Sequence, residues 1–335
     1  MVKRSLILAL LLLSAVSAIA CESGNEPDSL TLYSGRSETL IQPLIDKFIA
    51  DTGIDVRVKY GSTSGTVALL LEEGDASPAD VVLLQDAGAL GALAKEKKLG
   101  PIPHNLLTRV QAKYRSHNDD WVGISGRART VIYNTEKLTP ASLPDSIQGF
   151  THPEWKARIG WAPTNGSFQA FVTALRITEG DAATKSWLEG IKANEPVAYP
   201  KNTAIVDAVG RGEVEVGFVN HYYLLRFLAE HGEEFPARNY YPRGDVGGMM
   251  NVAGVGIMTS STAKPIALKF IDYLLSESAQ SYFSDETGEY PLIDGLSSNP
   301  ANPQLSDLDV IHIDLGNLDD LRGTLDLMRD VGILP

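Results

Sequence analysis

Two adjacent tyrosines, Tyr222 and Tyr223, carry the most distinctive chemistry in this chain. A phenol ionises near pH 10 in water, and a hard, highly charged cation favours the phenolate strongly enough to remove that proton at neutral pH. Two phenolic oxygens meeting at one point therefore suit a ferric ion. Neighbouring side chains in a strand point to opposite faces, whereas in the first turn of a helix they diverge by only about 100°. The flanking residues predict such a turn. Val214, Val216 and Phe218 alternate with Glu213, Glu215 and Gly217, the period of a half-buried strand. Tyr223, Leu224, Phe227 and Leu228 then recur at three and four, so a helix is expected from about Asn220 or His221. Ordinary aromatic packing is the competing reading, because the chain has 12 tyrosines and a second pair, Tyr240-Tyr241, in an expected strand.

Composition narrows the function classes. At 335 residues with 44% hydrophobic and 21% charged side chains, the chain fits two globular domains. Its formal charge of −13 argues against nucleic acid as a partner. The sequence has no phosphate loop, no H-E-x-x-H, no C-x-x-C and no G-x-S-x-G, and its six histidines lack metal-ligand spacing, so an enzyme is not expected.

Residues 1–20 read as a secretory signal: Lys3 and Arg4 precede an apolar run that is short for a bilayer span. Cys21, the one cysteine in the chain, cannot form an internal disulfide. Ala18-Ile19-Ala20-Cys21 resembles a bacterial lipobox, which makes Cys21 the expected lipid attachment site and residues 21–28 a polar tether, with simple secretion as the alternative. The expected location is the periplasm or the outer face of the cell membrane.

The tyrosines must be positioned by what lies around them. From Ser29, strand and helix patterns alternate three times, the signature of a parallel α/β sheet covered on both faces. Ligands of such sheets bind at the carboxyl ends of strands, here Tyr33 to Ser37, Gly61 to Gly65, and Gln85-Asp86. Trp121 to Asn134 reads as a crossing between two lobes, and the glycine-rich run 244–260 as the return crossing. Between them a second α/β unit contains Ala162-Pro-Thr164-Asn165-Gly166-Ser167, a turn leading into a helix expected over 168–179, whose N-terminus could face an anion. The expected organisation is residues 29–128 with about 244–290 in lobe 1, and residues 129–243 with about 291–335 in lobe 2.

Seven short segments in order, Leu32-Tyr-Ser-Gly-Arg36, Ser77-Pro-Ala-Asp-Val81, Gly126-Arg-Ala-Arg129 with Tyr133-Asn134, Pro163-Thr-Asn-Gly166, Val219-Asn-His-Tyr-Tyr223, Val252-Ala-Gly-Val-Gly256 and Thr287-Gly-Glu-Tyr-Pro291, resemble the periplasmic ferric-ion-binding proteins of bacterial iron ABC importers. The resemblance implies a two-lobed periplasmic-binding-protein fold of type II, each lobe a mostly parallel sheet flanked by helices, joined by two crossing hinge strands. It also implies a monomer that captures Fe(3+) in the interlobe cleft for a permease and its ATPase subunit, with Tyr222 and Tyr223 as ligands. The chain departs from the family at three places. Ser37 stands where some members have a histidine, Gln85 where some have a glutamate, and Phe168 where others have a third tyrosine. Gln85 and Asp86 are left as further candidate ligands, Asp86 the better donor.

A ferric ion with two phenolates keeps one positive charge, so carbonate or another small anion is expected beside it. Arg36 and Arg127 have the planar fork to hold it, with salt bridges as the equally weighted alternative. Thr164, Asn165, Gly166, Ser167 and Asn220 could add hydrogen bonds, by resemblance to the family's anion loop. His221 is read as structural, pointing away from the converging phenols. The alternative function is the same fold holding an organic or oxyanion ligand other than iron.

Overall fold

The computed structural model describes residues 29–334; the signal segment, Cys21 and the tether lie outside the described residues. The chain opens with β1 (Ser29–Ser34), α1 (Glu38–Thr52), β2 (Asp55–Tyr60), α2 (Thr63–Glu73), β3 (Val81–Leu84) and α3 (Ala87–Lys95). β1 pairs in parallel with β2 and with β3. Helix α1 forms because Ile41, Leu44, Ile45 and Phe48 fall on one buried stripe, and it stops at Gly53, whose left-handed backbone returns its N–H to the Ile49 carbonyl. β3 is buried at all four positions, as expected of a strand with both faces covered.

Two short elements, β4 (Leu99–Gly100) and α4 (His104–Leu107), lead to the long β5 (Val122–Asn134). The second lobe contains β6 (Ile159–Trp161), α5 (Gly166–Glu179), α6 (Asp181–Ala193), β7 (Val197–Ala198), α7 (Asn202–Gly210), β8 (Val216–Asn220), α8 (Tyr223–His231) and β9 (Ala237–Tyr240). β10 (Met250–Met258), α9 (Lys264–Leu274) and α10 (Glu277–Asp285) return to the first lobe, and α11 (Leu321–Asp330) ends the described chain.

Strand β5 belongs to both sheets. Its residues 122–128 pair antiparallel with β10, which itself pairs antiparallel with β3. From Arg129 onward β5 pairs antiparallel with β8 and β9, while β6 pairs in parallel with β8 and β7. Each lobe is thus a parallel α/β unit extended by antiparallel strands that the crossing chain supplies. β8 is buried throughout rather than half-buried, because β5 and β6 flank it and α7 packs across it. The alternation of Glu213 and Glu215 with Val214 marked the approach to the strand and not its covered centre.

The assignment of residues 291–335 to lobe 2 needs correction. Ile293 bridges to Val110, and Gly316 and Leu318 press their carbonyls onto α3, so this part of the tail runs along the first lobe. α11 and the residues that follow it cross to the second, where α11 packs on α5 and α6 and Lys192 donates to the Val331 carbonyl at 2.6 Å. The crossing at Asp319 and Asp320 is held from both sides, Lys95 of α3 reaching Asp319 at 2.5 Å and Arg176 of α5 reaching Asp320 at 3.0 Å. α6 carried no element expectation, although Trp187, Leu188 and Ile191 on its buried stripe follow helical spacing.

The tail can lie this close because α3 presents glycine. A Cβ at Gly91 would stand 2.1 Å from the Gly316 carbonyl oxygen, a backbone atom with no rotamer to change. Gly91→Ala is therefore expected to destabilise the protein by about 1–3 kcal/mol through overpacking, outweighing the roughly 1 kcal/mol that alanine gains over glycine in a helix. The check is the midpoint of thermal or urea unfolding, which should fall.

Candidate functional site

A cleft of about 810 Å³ opens between the lobes, and both tyrosines line it. Their placement follows from strand register. Asn220, the last residue of β8, pairs with Arg129, the first residue of β5 on the second-lobe side. The chain then turns immediately: Tyr222 caps α8 in helical geometry and Tyr223 is its first residue. The helix begins two or three residues later than the periodicity predicts, and the two phenols fall in its first turn. Their ring centroids are 4.3 Å apart with planes tilted by 35°. Both rings face the cleft, Tyr222 largely buried and Tyr223 half-buried.

His221, between them and the strand, is a satisfied core residue. Its Nδ1 accepts from the Ala128 N–H at 3.2 Å, and its Nε2 donates to the Gly288 carbonyl at 2.9 Å. It stacks on Tyr290 with centroids 4.6 Å apart. Burial pulls its pKa down to about 4, so the ring is neutral and anchors the backbone just before the tyrosines.

The cleft's positive charge comes from β5. Arg127 lines it, and so does Arg129, two residues on and on the same face of the strand. Arg129 escaped the sequence reading, although the two-residue period that places Arg127 in the cleft places it there too. Its Nη1 donates to Asn220 Oδ1 at 3.0 Å and to Ser167 Oγ at 3.4 Å, and its guanidinium lies 5.5 Å from the Phe171 ring centre. Burial lowers its pKa to about 10, against which Tyr223 and then Tyr222 pull upward, so it remains a cation at neutral pH.

Arg36 is corrected to the salt-bridge reading. It is fully buried outside the cleft lining, donating to Glu289 at 2.8 Å and to Ser125 at 3.1 Å. Burial would raise the Glu289 carboxyl, but Arg36 and then Arg127 hold it below its ordinary value. Glu289 therefore neutralises Arg36 and sits within the field of Arg127.

The anion-loop residues Thr164, Asn165, Gly166 and Ser167 do line the cleft, and so does Asn220. The helix begins at Gly166 rather than Phe168, with Asn165 as its cap: its side chain accepts from the Ser167 N–H, and its carbonyl accepts from Phe168 and Gln169. With those amides taken, a ligand would meet hydroxyls and Arg129 more than a ring of free N–H groups. Asn202, buried at the start of α7, braces the loop from behind by donating to Asn165 Oδ1 at 3.3 Å and Ser167 Oγ at 3.2 Å. Phe168 points into the second-lobe core among Trp161, Phe171 and Trp187.

On the first-lobe wall, Ser37, Ser62, Thr63, Ser64, Gln85 and Asp86 line the cleft. Asp86 caps α3: Oδ1 accepts from Gly88 at 2.8 Å and Ala89 at 3.4 Å, and Asn251 reaches Oδ2 at 3.5 Å. Burial raises its pKa against the pull of Arg127 and these hydrogen bonds. Among the described residues no three His, Cys, Asp or Glu side chains come together as a metal cluster. A cation here would depend on the phenols. Burial raises Tyr222's pKa well above the ordinary phenol value, Tyr223 adding to the effect and Arg127 opposing it.

Known proteins are similar to this chain in sequence and fold. The sequence profile described as bacterial extracellular solute-binding protein matches residues 76–311. The chain is 32% identical over 331 residues to the Fe(3+)-binding periplasmic protein of Serratia marcescens, covering 97% of each. It is 33% identical over 294 residues to the major ferric iron-binding protein of Neisseria meningitidis, covering 86% of each. The crystal structure of iron-bound HitA from Pseudomonas aeruginosa superposes with a TM-score of 0.84 at 31% identity, over 91% of this chain and 99% of that one. With its two-lobed α/β architecture and tyrosine-lined cleft, the chain belongs to the bacterial extracellular solute-binding protein family, among relatives named for binding ferric iron.

Proposed function

We propose that this protein captures ferric ion in the interlobe cleft, together with an anion, and delivers it to a membrane permease driven by an ATPase subunit. The carrying observation is the adjacent pair of phenols, 4.3 Å apart between ring centres, in a cleft that also holds Arg127 and Arg129. Two phenolates bind and partly neutralise the ion, and the guanidiniums balance the anion that completes it. The relatives' names support iron as the cargo and the periplasm as the site of action. The protein acts as a carrier: no covalent step is needed, and the lobes supply binding groups only. A lipid on Cys21 would tether it to the membrane surface, where the permease resides.

The test is titration of metal-stripped protein with ferric ion, followed by the visible absorption band of iron bound to phenolate. Wild type should develop the band and bind one ion. The double variant Tyr222→Phe plus Tyr223→Phe should lose the band and weaken binding by at least about a hundredfold, roughly 2.8 kcal/mol at about 1.4 kcal/mol per factor of ten. Equal binding by this variant would remove these residues from the mechanism.

Acid should release the ion. Tyr222 holds its proton more tightly than a free phenol, so in the empty cleft it is neutral at pH 7, and each phenolate formed on binding releases one proton. Affinity should therefore fall as pH falls, by up to about tenfold per pH unit for each proton released. Affinities measured at two or three pH values, corrected for protonation of the competing chelator, supply the slope. A slope of zero contradicts phenolate ligation.

A further inference from the structure

We propose that the tail is a strap on interlobe motion: its short crossing at Asp319 and Asp320 pins the lobes at a point apart from β5, leaving rotation about the line between the two points as the free movement. The inference needs no bound ion and goes beyond the carrier reading. A chain joining two bodies restrains them only if it is anchored on both and has no slack between its anchors. Both conditions hold here. On the first lobe Leu315 and Leu318 are buried, and a Cβ at Gly91 or Gly88 would come within 2.1 or 2.2 Å of the Gly316 or Leu318 carbonyl oxygen. On the second, Asp320 caps α11 by accepting from the Gly323 N–H at 3.0 Å, and Arg176 of α5 donates to the Asp320 carbonyl at 3.1 Å and to Thr324 Oγ1 at 3.0 Å. Thr324 Oγ1 also meets Thr173 Oγ1 of α5 at 2.8 Å, with both residues buried.

Only Asp319 lies between the anchors Leu318 and Asp320, so two Cα steps of about 3.8 Å span the gap. Lys95 holds Asp319 as well, but its side chain is 60% exposed and such an ion pair contributes little. The shortness of the chain carries the restraint. The other crossings lie side by side, since Ala128 of β5 pairs with Met250, where the chain returns into β10. Two adjacent crossings leave the lobes free to twist as well as to open. The tail crossing is displaced from them. Arg129, where β5 enters the second lobe, donates to Ser167 at the start of α5, whereas Arg176 near the end of α5 grips Asp320. Nine residues of helix separate those contacts, a rise of about 13 Å. A third connection at that distance removes the twist.

The test is the interlobe distance distribution of the metal-free protein, read by double electron–electron resonance. Spin labels go on Glu72→Cys of α2 and Glu189→Cys of α6, both exposed, in a chain carrying Cys21→Ser. Without further change the distribution should be narrow. Four residues, Gly-Ser-Gly-Ser, inserted between Asp319 and Asp320 add up to about 13 Å of reach, and the distribution should broaden and extend outward by roughly 5 Å or more. The same insertion after Gly295, in an exposed loop upstream of the strap, should leave it unchanged. Arg176→Ala frees Asp320 without adding length and should broaden it too. Unfolding midpoints check that each variant is folded. A distribution unchanged by the insertion at the crossing overturns the proposal, and so does equal broadening by the insertion after Gly295. Should the crossing insertion fail to fold, Arg176→Ala decides alone: a distribution as narrow as that of the parent overturns the proposal.

Discussion

Strand β5 is hydrogen-bonded to one sheet through residue 128 and to another from residue 129, and the register it imposes places the charged groups of the cleft. Because β8 runs antiparallel to it, Asn220 lies opposite Arg129 at the junction between the lobes. The chain must turn into α8 at that point, which delivers Tyr222 and Tyr223 to the cleft wall. Arg127 and Arg129 share the strand face that looks into the same space, and Asn251 of β10 stands opposite Arg127. A shift of one residue in this pairing would turn both guanidiniums to the other side of the sheet.

Burial holds Tyr222 and Asp86 toward their neutral forms, while Arg129 stays a cation. Burial disfavours the Tyr222 phenolate, and the absence of a carboxylate cluster among the described residues means that little else attracts a cation. On the proposed ligation, a trivalent ion at contact distance would offset that desolvation, because Coulomb interactions strengthen as water is excluded. The same exclusion keeps Arg129 dependent on its partners Asn220 and Ser167, so the positive charge is held in place rather than mobile. The Arg36–Glu289 pair and the doubly hydrogen-bonded His221 are buried polar groups that find their partners within the fold. Breaking either would leave a buried polar group without its partner.

Much of this was legible in the sequence, for identifiable reasons. Alternation and helical spacing are local signals, so β1, α1, β3 and α5 appear within a few residues of their expected bounds, and the turn at Tyr222-Tyr223 was readable from a change of period. What was not readable depends on contacts between distant residues. Arg36 follows a strand end that was expected to face the ligand, but Glu289, 253 residues away, takes its guanidinium. The path of residues 291–318 along the first lobe rests on glycines of α3 that admit a backbone carbonyl, a fit with no periodic signature. Arg129 was within reach, since the rule that places Arg127 in the cleft applies two residues later.

If the two phenols become phenolate ligands of one ferric ion, the iron-loaded protein must carry a tyrosinate signature. Resonance Raman spectroscopy of the iron-loaded protein, excited within its visible band, reports this directly. Enhanced tyrosinate ring modes should appear, shift when the protein is grown with ring-deuterated tyrosine, and weaken in Tyr222→Phe and in Tyr223→Phe alike. An iron-loaded protein whose spectrum lacks tyrosinate modes, or keeps them undiminished in either single variant, would contradict it.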